Sequence, residues 1–197
     1  MKHKALTISE RERLTEYITE NLTPFRLGIL ICLNTGLRLG EICALQWRDI
    51  SFDNQCLSVR RGMRRIRYPS EEHNQVEQIF VKPKSESSIR QIPLPDNLFK
   101  ILIRCREEEK AFLLTGSVND YMEPRTVQGK FRELLKECGI QEINFHTLRY
   151  TFAEERLKAG VDFQSLNQML GLGIADNNFI RYWHPSVSSV SSDESVI

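Results

Sequence analysis

Long hydrophobic runs are missing from this 197-residue sequence. The best candidate, residues 27–33, is far too short to cross a bilayer, so we expect no association with a membrane. The N-terminus also lacks the charged-then-apolar pattern of a secretory signal. We therefore expect a cytoplasmic protein.

Paired cysteines and a large net charge are missing as well. The five cysteines form no C-x-x-C motif and mostly fall within apolar helical patterns, so we expect reduced core residues. The net charge is only +1, which counts mildly against nucleic acid as a partner. One stretch differs, because residues 60–67 contain five arginines and no acid. It could contact DNA phosphates or form a solvated hairpin. The arginines are Arg60, Arg61, Arg64, Arg65 and Arg67.

The periodicity of apolar residues predicts a mostly helical protein. Thr7 to Glu10 has capping-box spacing and opens a helix that runs to about Leu22. A second helix starts at Pro24 and runs through Leu33, with Gly36 as its left-handed stop, and a third covers residues 39–47. Later helices are predicted over about 98–105, 127–138, 146–158, 163–170 and 176–183, and residues 185–197 are expected to form a flexible tail.

Three runs in the middle of the chain alternate between apolar and polar residues, as strands do. They are residues 57–59, 78–81 and 90–94, and Pro93 is expected at a strand end or sheet edge. The sequence therefore predicts a mainly helical α+β domain with a small antiparallel sheet inserted after the third helix.

Two motifs bring basic residues to helix starts. Residues 35–41, T-G-L-R-L-G-E, place Arg38 between two glycines, where a phosphate could approach; the simpler interpretation is a capped boundary with Arg38 paired to Glu41. Residues 146–149 read H-T-L-R, and positions three apart share a helix face, so His146 and Arg149 point together. They could bind a phosphate or be an ordinary surface pair.

The third motif, Y-W-H at residues 182–184, follows the last predicted helix. A tyrosine there is more often a packed aromatic with a hydrated hydroxyl than a nucleophile. Its position after the other two motifs makes Tyr182 a candidate nucleophile.

Taken together, these motifs resemble the phage-integrase family of tyrosine recombinases in order and spacing. T-G-L-R-x-G-E is similar to the family's first box, H-T-L-R to its second, and Y-x-H to its nucleophile segment. Residues 84–94, K-S-E-S-S-I-R-Q-I-P-L, resemble its K-T-K-S-S-x-R-x-I-P-L hairpin. The resemblance runs from about residue 5 to 184. It implies a helical DNA breaking-rejoining fold with a three-stranded antiparallel sheet.

The resemblance implies a site-specific DNA recombinase that forms a 3′-phosphotyrosine through Tyr182. Arg38 and Arg149 would clamp the scissile phosphate, and His146 would accept or orient a proton. Lys84 would protonate the departing 5′-oxygen. No metal or nucleotide cofactor is implied, because cationic side chains neutralise the developing charge and the phosphotyrosine ester conserves the bond energy.

Lys82 is a nearby competitor for the role of Lys84. Glu41 would orient Arg38 or His146, and His184 is a supporting residue of the nucleophile segment.

The resemblance also implies partners and organisation. Residues 1–184 would be the catalytic domain, 185–197 a tail, and the family's N-terminal DNA-binding domain would be absent. The partner would be double-stranded DNA in a bacterial nucleoid, with four copies assembling on the DNA of a phage or other mobile element. We expect a monomer in solution.

One position departs from the family pattern. Ten residues before Tyr182, where the family has histidine or tryptophan, the sequence has Leu172, which cannot donate a hydrogen bond. Loss of such a donor costs about 10²–10³ in rate, unless Trp183 or His184 substitutes. A catalytically impaired DNA-binding or regulatory relative is thus the alternative. A type IB topoisomerase shares the chemistry, but the short hairpin region and the residue 84–94 motif favour a recombinase.

Overall fold

The structure, a computed structural model, describes residues 5–68, 75–82 and 89–172, without the side chains of residues 67, 68, 75 and 76. The described residues form seven α-helices, one 3₁₀ turn and five strands, which confirms the mainly helical α+β fold. Within these ranges no helix is long and apolar enough to span a membrane. The predicted helix at 176–183 and the predicted tail lie outside the described residues.

The first two helices begin where the sequence predicts and end two residues from the predicted ends. Helix α1 (Ile8–Glu20) opens with a capping box, in which the Thr7 hydroxyl accepts the Glu10 N–H and the Glu10 carboxylate accepts the Thr7 N–H. Helix α2 (Pro24–Thr35) ends at Gly36, whose φ of 65° is left-handed. These boundaries are set by residues adjacent in sequence, which is why the sequence locates them well.

Helix α3 (Leu39–Ala44) is shorter than the predicted helix at 39–47, so that prediction is wrong at its C-terminal end. Leu45 is extended, and its carbonyl accepts the N–H of Leu113 at 3.0 Å. Gln46 forms a β-bridge to the same distant segment. Main-chain pairing with that segment therefore ends α3 early, and Trp47–Asp49 forms the 3₁₀ turn.

The predicted three-stranded antiparallel sheet is present, with a different third strand. Strands β1 (Ile50–Ser51), β2 (Cys56–Val59) and β5 (Arg90–Pro93) pair in the order β1-β2-β5. Pro93 ends the edge strand β5, as predicted for a residue without an N–H. The strand predicted at 78–81 is not part of this sheet.

That strand belongs instead to a separate two-stranded ribbon. Strand β3 (Gly62–Tyr68) pairs antiparallel with β4 (Gln75–Val81) over seven residue pairs. The arginine-rich stretch thus lies mostly on β3, with Met63 buried and Arg64 and Arg65 exposed. The sequence missed β3 because arginines obscure its alternation, and pairing with β4 supplies the stability that its composition does not indicate.

The later helices follow the predicted apolar faces. They are α4 (Asp96–Arg104), α5 (Pro124–Glu137), α6 (Thr147–Lys158) and α7 (Phe163–Leu170). Most buried apolar residues form one large core, which includes Leu148 at the start of α6. A second, smaller core joins α6 to α7 through four buried side chains, Phe152, Ala153, Leu166 and Leu170. All five cysteines are free thiols, and Cys105 alone of them is not fully buried.

Candidate active site

The tight turn between α2 and α3 sets the position of Arg38. A Cβ added to Gly36 would lie 2.6 Å from the Phe152 ring and 2.8 Å from Leu170, so only glycine lets the turn pack against α6 and α7. Arg38 follows as the N-cap of α3. Its main-chain N–H donates to Glu41 Oε2 at 2.8 Å, and its guanidinium donates to Glu41 Oε1 at 3.0 Å.

Arg149 is buried on the first turns of α6, with 2% of its surface exposed. One terminal nitrogen donates to the carbonyl of Gly36 and the other to the carbonyl of Leu170, each at 2.7 Å. A planar guanidinium with two parallel donors suits this bridge. Arg149 therefore holds the turn that carries Arg38 against the end of α7.

The C-terminus of α7 is where the site comes together. Gly171 is left-handed, and the N–H groups of Gly171 and Leu172 donate to the carbonyls of Gln168 and Asn167 in a Schellman arrangement. Helix ends leave their last carbonyls without intrahelical partners. Here three successive carbonyls accept from three arginines: Met169 from Arg90 Nε at 2.6 Å, Leu170 from Arg149 at 2.7 Å, and Gly171 from Arg38 at 2.9 Å.

Arg90 is a member of this cluster that the sequence prediction missed as a site residue. Its two terminal nitrogens donate to the two carboxylate oxygens of Glu41 at 2.9 and 2.8 Å. The sequence did contain a signal: Arg90 alternates in phase with Ile92 and Leu94, and all three are buried. An arginine at an inward-facing strand position needs a buried partner, which identifies it as a candidate for a polar site.

Glu41 is the carboxylate shared by this cluster, and its side chain is 12% exposed. Burial alone would raise its pKa, but the hydrogen bonds and charges of Arg90 and then Arg38 outweigh burial and lower the pKa of Glu41 below its ordinary value of 4.5. Glu41 is therefore ionised at neutral pH. With one carboxylate against Arg38, Arg90 and Arg149, the cluster keeps an excess of positive charge.

His146 lies one turn before Arg149, at the N-cap of α6 rather than inside the helix as predicted. Its main-chain N–H donates to Asn144 Oδ1 at 2.9 Å. Its half-buried imidazole ring packs edge-on against the Tyr150 ring, and the ring centroids are 4.9 Å apart. The N-cap position places the imidazole at the positive end of the α6 dipole.

Leu172, the position where the sequence departs from the family pattern, directly follows Gly171. Its side chain is half-buried and packs against the smaller core between α6 and α7. The position therefore lies one residue from the carbonyl that Arg38 contacts. A donor placed here would lie close to the cluster.

Most of the remaining predicted site residues are not described by the structure. Lys84, Tyr182 and His184 lie outside the described residues, as does Trp183. Lys82, the alternative to Lys84, is exposed directly after β4.

The predicted DNA-contacting arginines divide into two groups. Arg60, Arg64 and Arg65 are exposed, whereas the side chain of Arg67 is not described. Arg61 is held within the protein, where it donates to Asp49 at 2.6 Å, to Gln46 and to a main-chain carbonyl of α3. Burial raises the pKa of Asp49 despite this partner. Three described arginines are therefore exposed in this region: Arg60 before β3, and Arg64 and Arg65 on opposite faces of β3.

Chemically, the cluster is suited to an anion. Guanidinium groups held by packing and hydrogen bonds stabilise charge without reorganising when it develops. Arg38 is the most accessible of the three arginines, with 35% of its side chain exposed, whereas Arg90 is 5% exposed. The geometry can therefore offer Arg38 to a phosphate, while the buried Arg149 and Arg90 add fixed positive charge behind it.

Comparison with known proteins identifies the family of the chain. The profile of the phage integrase family matches residues 4–186. A XerC-like tyrosine recombinase of Caldanaerobacter subterraneus subsp. tengcongensis is 30% identical over 187 residues, covering 84% of this chain and 46% of the relative. The XerA tyrosine recombinase of Pyrococcus furiosus is 29% identical, with 85% and 53% covered. The chain thus spans about half the length of the curated relatives it matches.

Solved structures share the fold. The Tn1549 transposon integrase in complex with circular intermediate DNA superposes with a TM-score of 0.72 at 22% identity, covering 92% of this chain and 63% of that one. A crystal structure of XerA recombinase gives a TM-score of 0.65 at 24% identity, with 92% and 58% covered.

Proposed function

The chain belongs to the phage integrase family, and on that premise we propose that it is the catalytic unit of a site-specific DNA recombinase. It would cleave and rejoin double-stranded DNA through a covalent 3′-phosphotyrosine at Tyr182. The names of its relatives, tyrosine recombinases and a prophage integrase, favour this enzyme over a DNA-binding module without activity.

The proposed reaction is a transesterification. The Tyr182 hydroxyl oxygen attacks the scissile phosphorus, and the bond from phosphorus to the 5′-oxygen breaks as the phosphotyrosine bond forms. His146 accepts or orients the tyrosine proton, and Lys84 donates a proton to the departing 5′-oxygen. Arg38 and Arg149 stabilise the charge on the non-bridging oxygens. Attack by a 5′-hydroxyl on the phosphotyrosine reverses these steps and rejoins the strand.

The observation that carries the proposal is the meeting of Arg38 and Arg149 at the end of α7. Both arginines contact main-chain carbonyls of residues 170–171, which precede Tyr182 by twelve and eleven residues in the chain. Two distant motifs thereby approach the segment that leads to the proposed nucleophile. An active site requires such convergence. If Arg38 and Arg149 belonged to two unrelated surface pairs, there would be no reason for them to meet at the end of the same helix.

The wider interaction follows from the same proposal. Arg60, Arg64 and Arg65 would contact the DNA backbone, since they are exposed on β3 or directly before it. Arg67 is a further candidate. Arg61 would support this surface from within, through Asp49. The chain would be monomeric in solution, would assemble as four copies on DNA and would act on the nucleoid DNA of a bacterial cytoplasm.

A covalent adduct tests the proposal whatever DNA sequence the protein recognises. The protein is incubated with a pool of nicked duplexes whose central sequence is randomised, and protein-linked DNA is recovered after denaturation. The nick lets the cleaved fragment diffuse away, so that the phosphotyrosine accumulates. We expect a denaturant-resistant adduct with the wild type and none with Tyr182→Phe.

Two results would contradict the proposal. One is the absence of any adduct with the wild type, and the other is an adduct of equal yield with Tyr182→Phe. Relaxation of a supercoiled plasmid without sequence preference would indicate a topoisomerase instead.

A further inference from the structure

Arg90 connects three parts of the fold through its guanidinium. It starts β5, it pairs with both carboxylate oxygens of Glu41 on α3, and its Nε donates to the Met169 carbonyl at the end of α7. A Cβ on Gly171 would lie 3.0 Å from two atoms of the Arg90 side chain, so this close packing depends on a glycine. Arg90 is thus a buried arginine with partners on a strand, a helix and a helix end.

Arg90 also changes the balance of charge around Arg38. Glu41 shares its oxygens between Arg90 and Arg38. Without Arg90, the full negative charge of Glu41 would face Arg38 alone, and the pair would be close to neutral. An arginine paired with a carboxylate of its own attracts a phosphate less strongly than an arginine whose carboxylate also pairs with a second arginine.

We propose that Arg90 is a positioning residue of the recombinase site: it engages Glu41 so that the positive charge of Arg38 is less offset and stays available to a phosphate, and it ties β5 to the end of α7. The proposal rests on the proposed function. Arg90 follows Lys84 by six residues, and the carbonyl it holds precedes Tyr182 by thirteen. It therefore lies between the segments that lead to the proposed acid and nucleophile.

A merely structural role for the same contacts makes a different prediction. If Arg90 only stabilises the fold, then neutralising Glu41 as well can restore the melting temperature but not the rate per folded molecule. If Arg90 acts on Arg38 through Glu41, then neutralising Glu41 removes the negative charge that offsets Arg38, and the rate per folded molecule should recover. The variant Arg90→Gln, alone and combined with Glu41→Gln, separates these two roles.

The matched control is Arg26, which makes similar contacts far from the site. It pairs with Glu137 at 2.7 Å and donates to the carbonyl of Asn21, the C-cap of α1, at 2.8 Å. Arg26→Gln therefore removes an ion pair and a helix-end contact of the same kind. Thermal unfolding of all variants reports how much each change costs the fold.

The first readout is the single-turnover rate of adduct formation on a nicked duplex recovered from the randomised pool, at saturating protein. We expect Arg90→Gln to lower this rate by about tenfold or more, within the range for loss of a preorganised charge. The Glu41→Gln and Arg90→Gln double variant should recover about tenfold. Arg26→Gln should leave the rate at the wild-type value after correction for the folded fraction.

The second readout needs no catalysis. Inorganic phosphate is titrated into each variant, and calorimetry measures its affinity. We expect the wild type to bind phosphate more tightly than Arg90→Gln, and the double variant to bind it more tightly than Arg90→Gln. Equal phosphate affinity in wild type and Arg90→Gln, or a double variant weaker than Arg90→Gln, would overturn the role of Arg90. Absence of wild-type adduct with phosphate affinities in the expected order would instead refute the proposed function and leave the role of Arg90 supported.

Discussion

A carboxylate held between two guanidinium groups, as Glu41 is, stays ionised although it is largely buried. The two arginines offset the cost of removing the charge from water, because each contributes a charged hydrogen bond in a site of low dielectric. Through its bonds to Arg90, Glu41 thereby connects helix α3 to strand β5.

The contribution of Glu41 to the stability of the fold should depend on pH. Because the pKa of Glu41 is lowered in the folded protein, its contribution to stability is fully present above its ordinary value of 4.5 and is lost as pH falls through the folded pKa. Urea unfolding of wild type and Glu41→Gln should therefore differ most above pH 4.5 and converge in more acidic solution. Parallel curves across the acid range would contradict this.

The second prediction concerns Leu172. Replacing it with histidine supplies a donor one residue beyond the carbonyl that Arg38 contacts, so the rate of adduct formation should rise several-fold, by about 1 kcal/mol of transition-state stabilisation. Leu172→Phe is the control, because it fills the same half-buried position without an N–H. An unchanged rate in Leu172→His would indicate that the leucine does not limit the reaction.

At the scale of elements, the end of α7 is the structural centre of the site. Gly171 permits the left-handed turn, and the turn exposes the carbonyls that the arginines reach. Gly171→Ala should cost about 1–2 kcal/mol from backbone strain and should also displace Arg90, which its Cβ would approach to 3.0 Å. We expect a lower melting temperature and a slower adduct rate.

Gly160 provides the matched control for that prediction. It is left-handed, with φ of 83°, but a Cβ there would meet no atom within 4 Å. Gly160→Ala should therefore lower stability through backbone strain alone and leave the adduct rate unchanged. Equal losses of rate in the two variants would show that strain, and not contact with Arg90, accounts for the effect of Gly171→Ala.

The sequence was most informative about elements whose ends are encoded locally. Thr7, Gly36 and Gly171 act on neighbouring residues, so helix boundaries near them could be predicted. The early end of α3 could not, because Leu45 pairs with a segment far along the chain. The strand β3 was missed because its arginines interrupt the apolar alternation, whereas its stability comes from pairing with β4.

The same distinction applies to the site. Arg38 and Arg149 were predicted from short motifs, and the structure brings them together at α7. Arg90 was overlooked because its role depends on Glu41, 49 residues away, and on a carbonyl 79 residues away. Its inward-facing position between strand residues was the local sign of a buried partner.

For the whole molecule, the distribution of charge matters more than its sum. The net charge of +1 gives little attraction to DNA, yet Arg60, Arg64 and Arg65, on β3 or directly before it, are exposed to solvent. Replacing these three by glutamine should weaken DNA binding uniformly across sequences. The slope of log affinity against log salt should decrease by about 0.9 for each phosphate that the protein no longer neutralises.

A charge-matched control uses Lys100, Arg104 and Arg106, which are exposed at the end of α4 and just beyond it. Their replacement by glutamine makes the same change in net charge, so it isolates the effect of location. Fluorescence anisotropy with a labelled duplex over a range of salt concentrations measures both slopes. Equal slopes for the two triple variants would place the DNA contacts elsewhere.

The three carbonyls at the end of α7 also link assembly of the site to hydrogen exchange. The N–H groups of Gly171 and Leu172 donate within the same turn that receives the arginines, so they cannot exchange with solvent until that turn opens. Because α7 is joined to α6 by a small core of its own, its opening need not wait for global unfolding. The exchange rates of these two amides therefore report how readily this turn opens, and its opening breaks the contacts of the arginine cluster.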